Sequence, residues 1–432
     1  MFILRLRPAC GAALILGTAL PASAQQADIL EDFRSEYLQF RREGAVAVRD
    51  RPQPLYDPVP YRIDGIEVMP RVSADATYDS NIFATSDAID DLMLRVRPRM
   101  TASALLGSLD VTSAVELDRR EYLSHGNQST TDVAFGLAGR YTISRDTQIY
   151  AGTRNGRRTE DRADPDSPLN LRAPVQYDYV TGYLGAAHSF NRLRIAGRIG
   201  VEDRDYQDGR DGLGNLVDQD FRSRTLLTSD IAAEYAFSPD TSAFVNVTFN
   251  ERNYPAQSLL EPSRDSNGYR ITTGANFELT KVMRGQVGLG YFRQDFESPA
   301  YDTVKGLAAR AKLEYFMTPL LTWTLNANRG VEEASTIGTG AYVATSASLQ
   351  ADYEVFRNLI LSAGANYEHD DFQDIDRRYD IWGAMLAADY KLGPRYALRM
   401  QYDFRDQDAA GTFPGREFAR HRLMAGVTMQ GM

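Results

Sequence analysis

The feature that most constrains this chain is an alternation of apolar and polar residues that recurs in long segments from residue 66 onwards. Between Tyr396 and Arg405, every even position is a large apolar residue and the odd positions are small or polar. Successive side chains of a β-strand point to opposite faces, so each segment has one apolar and one polar face. No helical layer is predicted that could cover so many apolar faces. The pattern therefore predicts an all-β, antiparallel, up-and-down transmembrane barrel, apolar towards lipid and polar towards a lumen.

Eighteen such segments follow one another, and bacterial single-chain barrels have an even number of strands. Short turns containing Gly, Pro or Asn alternate with longer polar loops, as expected for the periplasmic and outer ends of such a barrel. The regular recurrence of short turns could also suggest the repeats of a β-propeller. Each propeller blade, however, would need four short strands per repeat instead of the two long ones present here. The predicted strands are 66–78, 91–105, 109–122, 130–143, 147–160, 176–189, 192–206, 220–236, 241–255, 267–279, 284–298, 302–316, 320–333, 340–354, 358–371, 376–390, 395–407 and 415–430.

The first 24 residues have the organisation of a secretory signal peptide. Arg5 and Arg7 precede an apolar core, and an A-x-A cleavage site ends at Ala24. Cleavage near Ala24 would remove Cys10, the only cysteine, so the mature chain has no disulfide chemistry. It would also change the formal net charge from −10 to −12, because two arginines are lost. That acidity argues against nucleic acid as a partner.

Three parts are therefore predicted: a signal peptide at 1–24, a periplasmic segment at 25–64 and the barrel at 65–432. Pro-rich stretches interrupt the second half of the periplasmic segment. Its first half has apolar residues at helical spacing, which predicts one short helix around Ile29, Phe33, Tyr37 and Phe40. The segment is either a loosely ordered leader or a helix that docks a partner or lies in the barrel mouth.

Aromatic residues cluster beside the short turns, where rings at the level of the lipid headgroups would form a periplasmic girdle. Aromatic residues are favoured in strands in general, but that preference does not explain their position beside the turns. The predicted girdle consists of Tyr141, Tyr150, Tyr235, Phe237, Tyr315, Phe316, Tyr353, Phe356, Tyr390 and Tyr396.

Parity within each strand predicts which side chains face the lumen. The resulting surface has mixed charge and is rich in Arg, whose planar donors suit carboxylates and hydroxyl-rich ligands. The pore-lining candidates are Arg95, Arg97, Arg99, Glu116, Asp118, Arg194, Arg198, Arg204, Asn326, Asn328, Arg399, Asp403 and Arg405.

These charges have two interpretations. They could pair across neighbouring strands and only stabilise the wall, or they could contact a cargo. The run of Arg95, Arg97 and Arg99 places three like charges on one face, so it needs acidic neighbours or an anionic ligand. Glu116 and Asp118 on the next strand are the candidate neighbours.

Enzymatic chemistry is not predicted. The four His residues lie on different hairpins, and no nucleophile motif accompanies them. One outer loop carries four carboxylates that could bind calcium. They miss the EF-hand spacing and fit a solvated acidic loop better. They are Asp203, Asp205, Asp208 and Asp211. The sequence therefore predicts no cofactor and no metal.

The opening of the barrel is similar to that of a known family. Val68-Met69-Pro70-Arg71-Val72 forms a Pro-containing first strand that runs into a turn with Tyr78, Asp79, Ser80, Asn81 and Phe83. This arrangement resembles the beta-barrel porin type 2 family over about residues 60–432. The resemblance implies a Gram-negative outer-membrane protein associated with export of exopolysaccharide or capsule-like polymers. It also implies a periplasmic polysaccharide export protein that delivers the polymer.

Our leading hypothesis is thus a monomeric outer-membrane porin that passes a surface polysaccharide, with outer-membrane lipids and the export protein as its partners. A passive diffusion porin for small solutes is the first alternative. A surface adhesin or scaffold barrel that acts through its outer loops is the second.

Overall fold

A closed barrel of eighteen antiparallel strands forms most of the chain. The computed structural model describes residues 46–165, 167–168, 171–255, 262–334, 336, 338–413 and 415–431. The barrel strands are β1 (Ile66–Asp79), β2 (Asp91–Leu106), β3 (Leu109–Tyr122), β4 (Thr130–Thr142), β5 (Thr147–Thr159), β6 (Gln176–Phe190), β7 (Leu193–Tyr206), β8 (Arg224–Ser238), β9 (Thr241–Asn253), β10 (Ser266–Leu279), β11 (Met283–Phe296), β12 (Val304–Thr318), β13 (Leu321–Glu333), β14 (Ala341–Phe356), β15 (Leu359–Phe372), β16 (Arg378–Lys391), β17 (Tyr396–Ala410) and β18 (Phe418–Gln430).

Each strand pairs with the next, and β1 pairs with β18 to close the barrel. At this closure Arg71 lies opposite Gln430, and Asp79 lies opposite Arg422. The predicted fold class and strand number are confirmed. The largest shift is at β8, which begins at Arg224 because Asp220–Arg222 form a single 3₁₀ turn.

The remaining regular elements are short. Two further 3₁₀ turns occur at Val48–Asp50 and Gly126–Gln128. A three-residue strand, Tyr61–Ile63, folds back on the start of β1 through Asp64 and Gly65, which both have positive φ. The pair Gly209–Arg210 and Leu216–Val217 forms a small hairpin in an outer loop. Within the described part of the chain, no helix has the length and apolar character needed to cross a membrane.

The barrel has an apolar exterior and a polar interior. On the outer face, Leu289, Leu307 and Leu386 are 63%, 70% and 58% exposed. Gln294 and Asp370 on the inner face are fully buried. The interior of the barrel therefore buries polar side chains. The apolar side chains of the outer face are removed from water only when lipid surrounds the barrel.

Replacing a lipid-facing side chain therefore has a predictable effect. Leu386→Arg on β16 puts a charge on the apolar face, which costs about 2–4 kcal/mol near the bilayer midplane. Ser348→Arg on the inner face of β14 is the control, since it meets water. We expect a lower urea midpoint for Leu386→Arg alone when the barrel is folded in lipid vesicles. Equal losses in both variants would contradict the assigned faces.

Eight of the ten rings predicted for the aromatic girdle face outwards, and two do not. Tyr150 and Phe316 turn towards the lumen instead of lipid. The Tyr150 ring is 2% exposed and lies over Gly185, where an added Cβ would come within 2.5 Å of it. Phe316 follows Tyr315, and adjacent strand residues cannot both face lipid. The other eight rings are exposed on the outer face.

Candidate functional site

A cavity of about 780 Å³ lies inside the barrel and is lined mainly by β1–β5 and β15–β18. Among its lining residues, Arg and Lys outnumber Asp and Glu by twenty to thirteen. The whole chain, in contrast, has a formal net charge of −10. The positive charges are therefore concentrated on the inner surface, where they can attract anionic groups.

The structure brings nine of the thirteen pore-lining candidates to this cavity: Arg95, Arg97, Arg99, Glu116, Asp118, Arg204, Arg399, Asp403 and Arg405. The other four lie on the inner faces of β7 and β13, outside the cavity lining. Arg198 pairs there with Asp230, and Arg194 donates to Ser189 at 3.0 Å. Asn326 and Asn328 lie opposite the basic residues Lys312 and Arg310 of β12.

The arginine run on β2 is neutralised unevenly. Arg95 makes a two-pronged hydrogen bond to Asp118, at 2.7 and 2.5 Å. The nearest acidic contacts of Arg97 and Arg99 are longer, at 3.5 Å to Asp75 and 3.6 Å to Glu116. The cross-strand explanation therefore accounts fully for Arg95 and only partly for its two neighbours.

The mouth at the short-turn end of the barrel holds residues 46–60. The backbone N–H of Val48 donates to the Thr322 hydroxyl at 3.1 Å, and Val48 is 1% exposed. Lys391, at the end of β16 beside a short turn, pairs with Asp57 at 2.7 Å. These partners lie at the short-turn ends of β13 and β16, so the segment occupies the mouth. The helix predicted around 29–40 lies outside the described residues, as does the predicted signal peptide.

Two arginines attach this segment to an acidic part of the wall. Arg49 pairs with Asp352 at 2.6 Å and with Asp389 at 3.3 Å. Arg51 pairs with Glu354 at 2.8 Å, and the Glu354 side chain is only 2% exposed. Arg49 also lines the cavity. The mouth segment, residues 46–60, thus forms the floor of the cavity at the short-turn end through polar contacts.

At the outer end, the loop between β5 and β6 folds into the lumen and reaches the wall at β17 and β18. Arg416 donates to three carbonyl oxygens of this loop, including those of Asp164 at 2.5 Å and Ser167 at 2.8 Å. Arg405 of β17 donates to the carbonyl oxygen of Ala163 at 2.9 Å. The described residues of this loop, 160–165, 167–168 and 171–175, are called the inward loop and form the outer boundary of the cavity.

The family motif connects the inward loop to the barrel closure. Arg420 of β18 bridges Asp79 at 2.6 Å and Asp161 at 2.9 Å. The buried Asn81 amide donates to the carbonyl oxygen of Ala419 at 3.1 Å, and the Ser80 hydroxyl accepts from the His421 N–H at 2.8 Å.

The two remaining motif residues are Phe83 and Tyr78. Phe83 packs edge-on against His125 and lies under the Arg162 guanidinium. Tyr78 is exposed on the outer face. The motif residues thus fasten β1 to β18 at the outer rim and, through Asp79 and Arg420, hold the inward loop.

Two carboxyl groups of the inward loop have opposite electrostatic surroundings. Burial raises the pKa of Asp161, but Arg420 and Arg422 outweigh it and hold that pKa well below its ordinary value. Burial and the neighbouring Asp161 and Glu160 raise the pKa of Asp164 well above its ordinary value. The arginines of β18 therefore favour charge on the first carboxyl and leave the second poorly compensated.

The remaining candidates of the sequence do not converge. The acidic outer loop brings Asp208, Asp218 and Asp220 close together, all exposed, while Asp211 closes its own turn with Asn215. Asp203 accepts a hydrogen bond from Thr225 instead. The His side chains bond to separate partners, such as Asp91 and Asp380.

Three important arginines were not among the sequence candidates. Arg71 could have been found by parity, since it lies on the same face of β1 as Asp75 and Asp79. Arg49 and Arg51 lie in a Pro-rich stretch without periodicity, so no pattern in the sequence points to their role.

An apolar belt around a charged lumen is the pattern of an outer-membrane β-barrel channel. The chain belongs to the family described as Putative beta-barrel porin 2, whose model matches residues 53–431. The resemblance inferred from the first strand and its turn is confirmed. No curated protein matches the chain.

Several solved barrels are similar in architecture. Pseudomonas aeruginosa OpdK with vanillate has a TM-score of 0.43 and 10% identity over 84% of this chain and 98% of its own. OccK2 (OpdF) of the same organism, in complex with glucuronate, has a TM-score of 0.48 and 10% identity over 86% and 99%. A mutant of the Pseudomonas aeruginosa ferric enterobactin receptor PfeA has a TM-score of 0.48 and 7% identity over 84% and 80%.

Proposed function

We propose that this protein is the outer-membrane channel through which a surface polysaccharide leaves the cell. The observation that carries the proposal is the charged cavity between the mouth segment and the inward loop, both held by polar contacts. Side chains such as Arg, Asp, Gln and Thr can exchange their present hydrogen bonds for bonds to sugar hydroxyl groups. Weak, repeated contacts of this kind suit a chain that must slide, because conduction requires release as well as binding.

The mouth segment favours an export channel over a passive porin. A passive porin works best with a permanently open lumen, whereas an export channel must stay shut until polymer arrives. Ion pairs at the mouth, such as Arg51 with Glu354, can be exchanged for contacts with a docking protein. We infer that a periplasmic polysaccharide export protein makes these contacts and delivers the polymer after the signal peptide has been cleaved near Ala24.

The test is deletion of the gene followed by measurement of surface and cell-associated polysaccharide. We expect surface polymer to disappear while its synthesis continues, and a plasmid copy of the gene to restore it. Unchanged surface polymer would overturn the proposal. Impaired uptake of a small solute in that case would indicate the passive porin, and loss of surface attachment alone would indicate the adhesin.

A further inference from the structure

We propose that Arg71, Arg97 and Arg99 form a binding site for carboxylate groups, and that the exported polysaccharide is therefore acidic, of the uronic-acid type. The inference rests on the proposed function and names its cargo class. All three side chains line the cavity. They lie on β1 and β2, on the wall next to the barrel closure.

The strand register brings these guanidinium groups together. Arg71 of β1 lies directly opposite Arg99 of β2, and Arg97 lies opposite Ser73, the next inward residue of β1. Like charges directly opposite each other destabilise a sheet. A cross-strand Arg–Arg pair thus destabilises the wall through charge repulsion. An anion bound between the two guanidinium groups would relieve that repulsion most directly.

Hydrogen-bonding capacity is left over at this point of the wall. Among the described residues, Arg71 makes no hydrogen bond or ion pair. Arg97 has a buried Nε atom with no hydrogen-bond partner in the same part of the chain. Its contact with Asp75 and that of Arg99 with Glu116 exceed ordinary hydrogen-bond length, at 3.5 and 3.6 Å.

Arg95 on the same face has the contacts expected of an arginine that only stabilises the wall. Two of its nitrogens are bonded to Asp118, and that carboxylate also accepts from Arg120 at 3.0 Å. The other three arginines have no such partner, yet they are held in place by the sheet. Planar guanidinium donors in a fixed position recognise a carboxylate with two parallel hydrogen bonds.

The experiment is isothermal titration calorimetry on the full-length protein in detergent, using a trimer of galacturonic acid as the probe. A neutral galactose trimer and monomeric galacturonate are the comparison probes. The titrations use the wild type and an Arg49→Gln/Arg51→Gln background, in which the mouth is freed for ligand entry. We expect the acidic trimer to bind in at least one of the two and to bind more weakly as salt is added.

Arg71→Gln should weaken binding of the acidic trimer by about tenfold or more, because it removes a charge-assisted contact. Arg71→Lys should retain part of the affinity, since it keeps the charge but loses the planar fork. Arg119→Gln is the matched control, because Arg119 lies on the outer face of β3 and pairs with Glu121 there. It removes the same charge from the chain and should leave affinity unchanged.

Three results would overturn the site: no binding in either background, equal binding of acidic and neutral trimers, or equal affinity in Arg71→Gln and the wild type. Equal affinity for monomer and trimer would overturn the assignment of a polymeric cargo. These failures are distinct from failure of the proposed function. A deletion strain that loses its surface polymer would still identify an export channel, and only the acidic cargo class would be lost.

Discussion

Replacing Arg49 and Arg51 together by Gln should raise the single-channel conductance in planar lipid bilayers several-fold. Both side chains attach the mouth segment to β14, through Asp352 at 2.6 Å and Glu354 at 2.8 Å. A hydrogen bond to a charged group contributes about 1.5–3 kcal/mol. Losing two of them should shift the segment towards its undocked state by roughly two to four orders of magnitude. The freed carboxylates would also draw water into the mouth.

Arg62→Gln is the control for this experiment. Arg62 pairs with Glu67 at 2.7 Å, but its side chain is 77% exposed and bonded outside the mouth. We expect Arg62→Gln to conduct like the wild type. A double variant with wild-type conductance would show that the mouth segment does not limit the current. A double-mutant cycle of Arg51→Gln with Glu354→Gln tests the contact itself, because interacting residues give non-additive changes.

The second large effect is expected at Arg420, where Arg420→Met should destabilise the folded barrel by about 3–5 kcal/mol. Arg420 and Asp79 are 6% and 3% exposed, so removing the cation leaves a buried carboxylate without its main partner. The same substitution breaks the bond to Asp161 and releases the inward loop. The readouts are the urea midpoint of the barrel in vesicles and protease cleavage within residues 160–175.

Two further variants serve as controls for the Arg420→Met prediction. Arg119→Gln breaks an exposed pair whose partners are 44% and 48% exposed, and should change stability by less than about 1 kcal/mol. The double variant Arg420→Met/Asp79→Asn should be less destabilised than the sum of the single variants, since it no longer buries an unpaired carboxylate at position 79. Equal midpoints for Arg420→Met and Arg119→Gln would contradict the bridging role of Arg420.

The strand pattern could be predicted almost completely, because side-chain direction in a strand has a period of two and depends on local geometry alone. Knowing the face of Leu398 gives the faces of Arg399 and Met400 without any tertiary information. The errors at Tyr150 and Phe316 came from grouping aromatic residues by their distance from a turn. Parity alone would have turned both rings towards the lumen.

Contacts across the lumen could not be predicted, because they join residues far apart in sequence. Arg49 and Asp352 are separated by 303 positions, and Arg416 reaches the inward loop over 249 to 254 positions. No periodic pattern encodes such pairs. The family motif can be read from its residues, but its role in holding β18 and the inward loop depends on the position of Arg420 beside Asp79.

The alternating pattern of residues is enough to specify the barrel, its strand number and the side of each strand that faces lipid. The physical reason is that each strand must satisfy the same requirement, apolar groups towards lipid and polar groups towards water, within its own residues. What fills the lumen depends on tertiary contacts. The register between β1 and β2 sets Arg71 opposite Arg99, and closing the sheet brings the mouth segment to the acidic ends of β14–β16. Those positions follow from register and barrel closure, which no single strand contains.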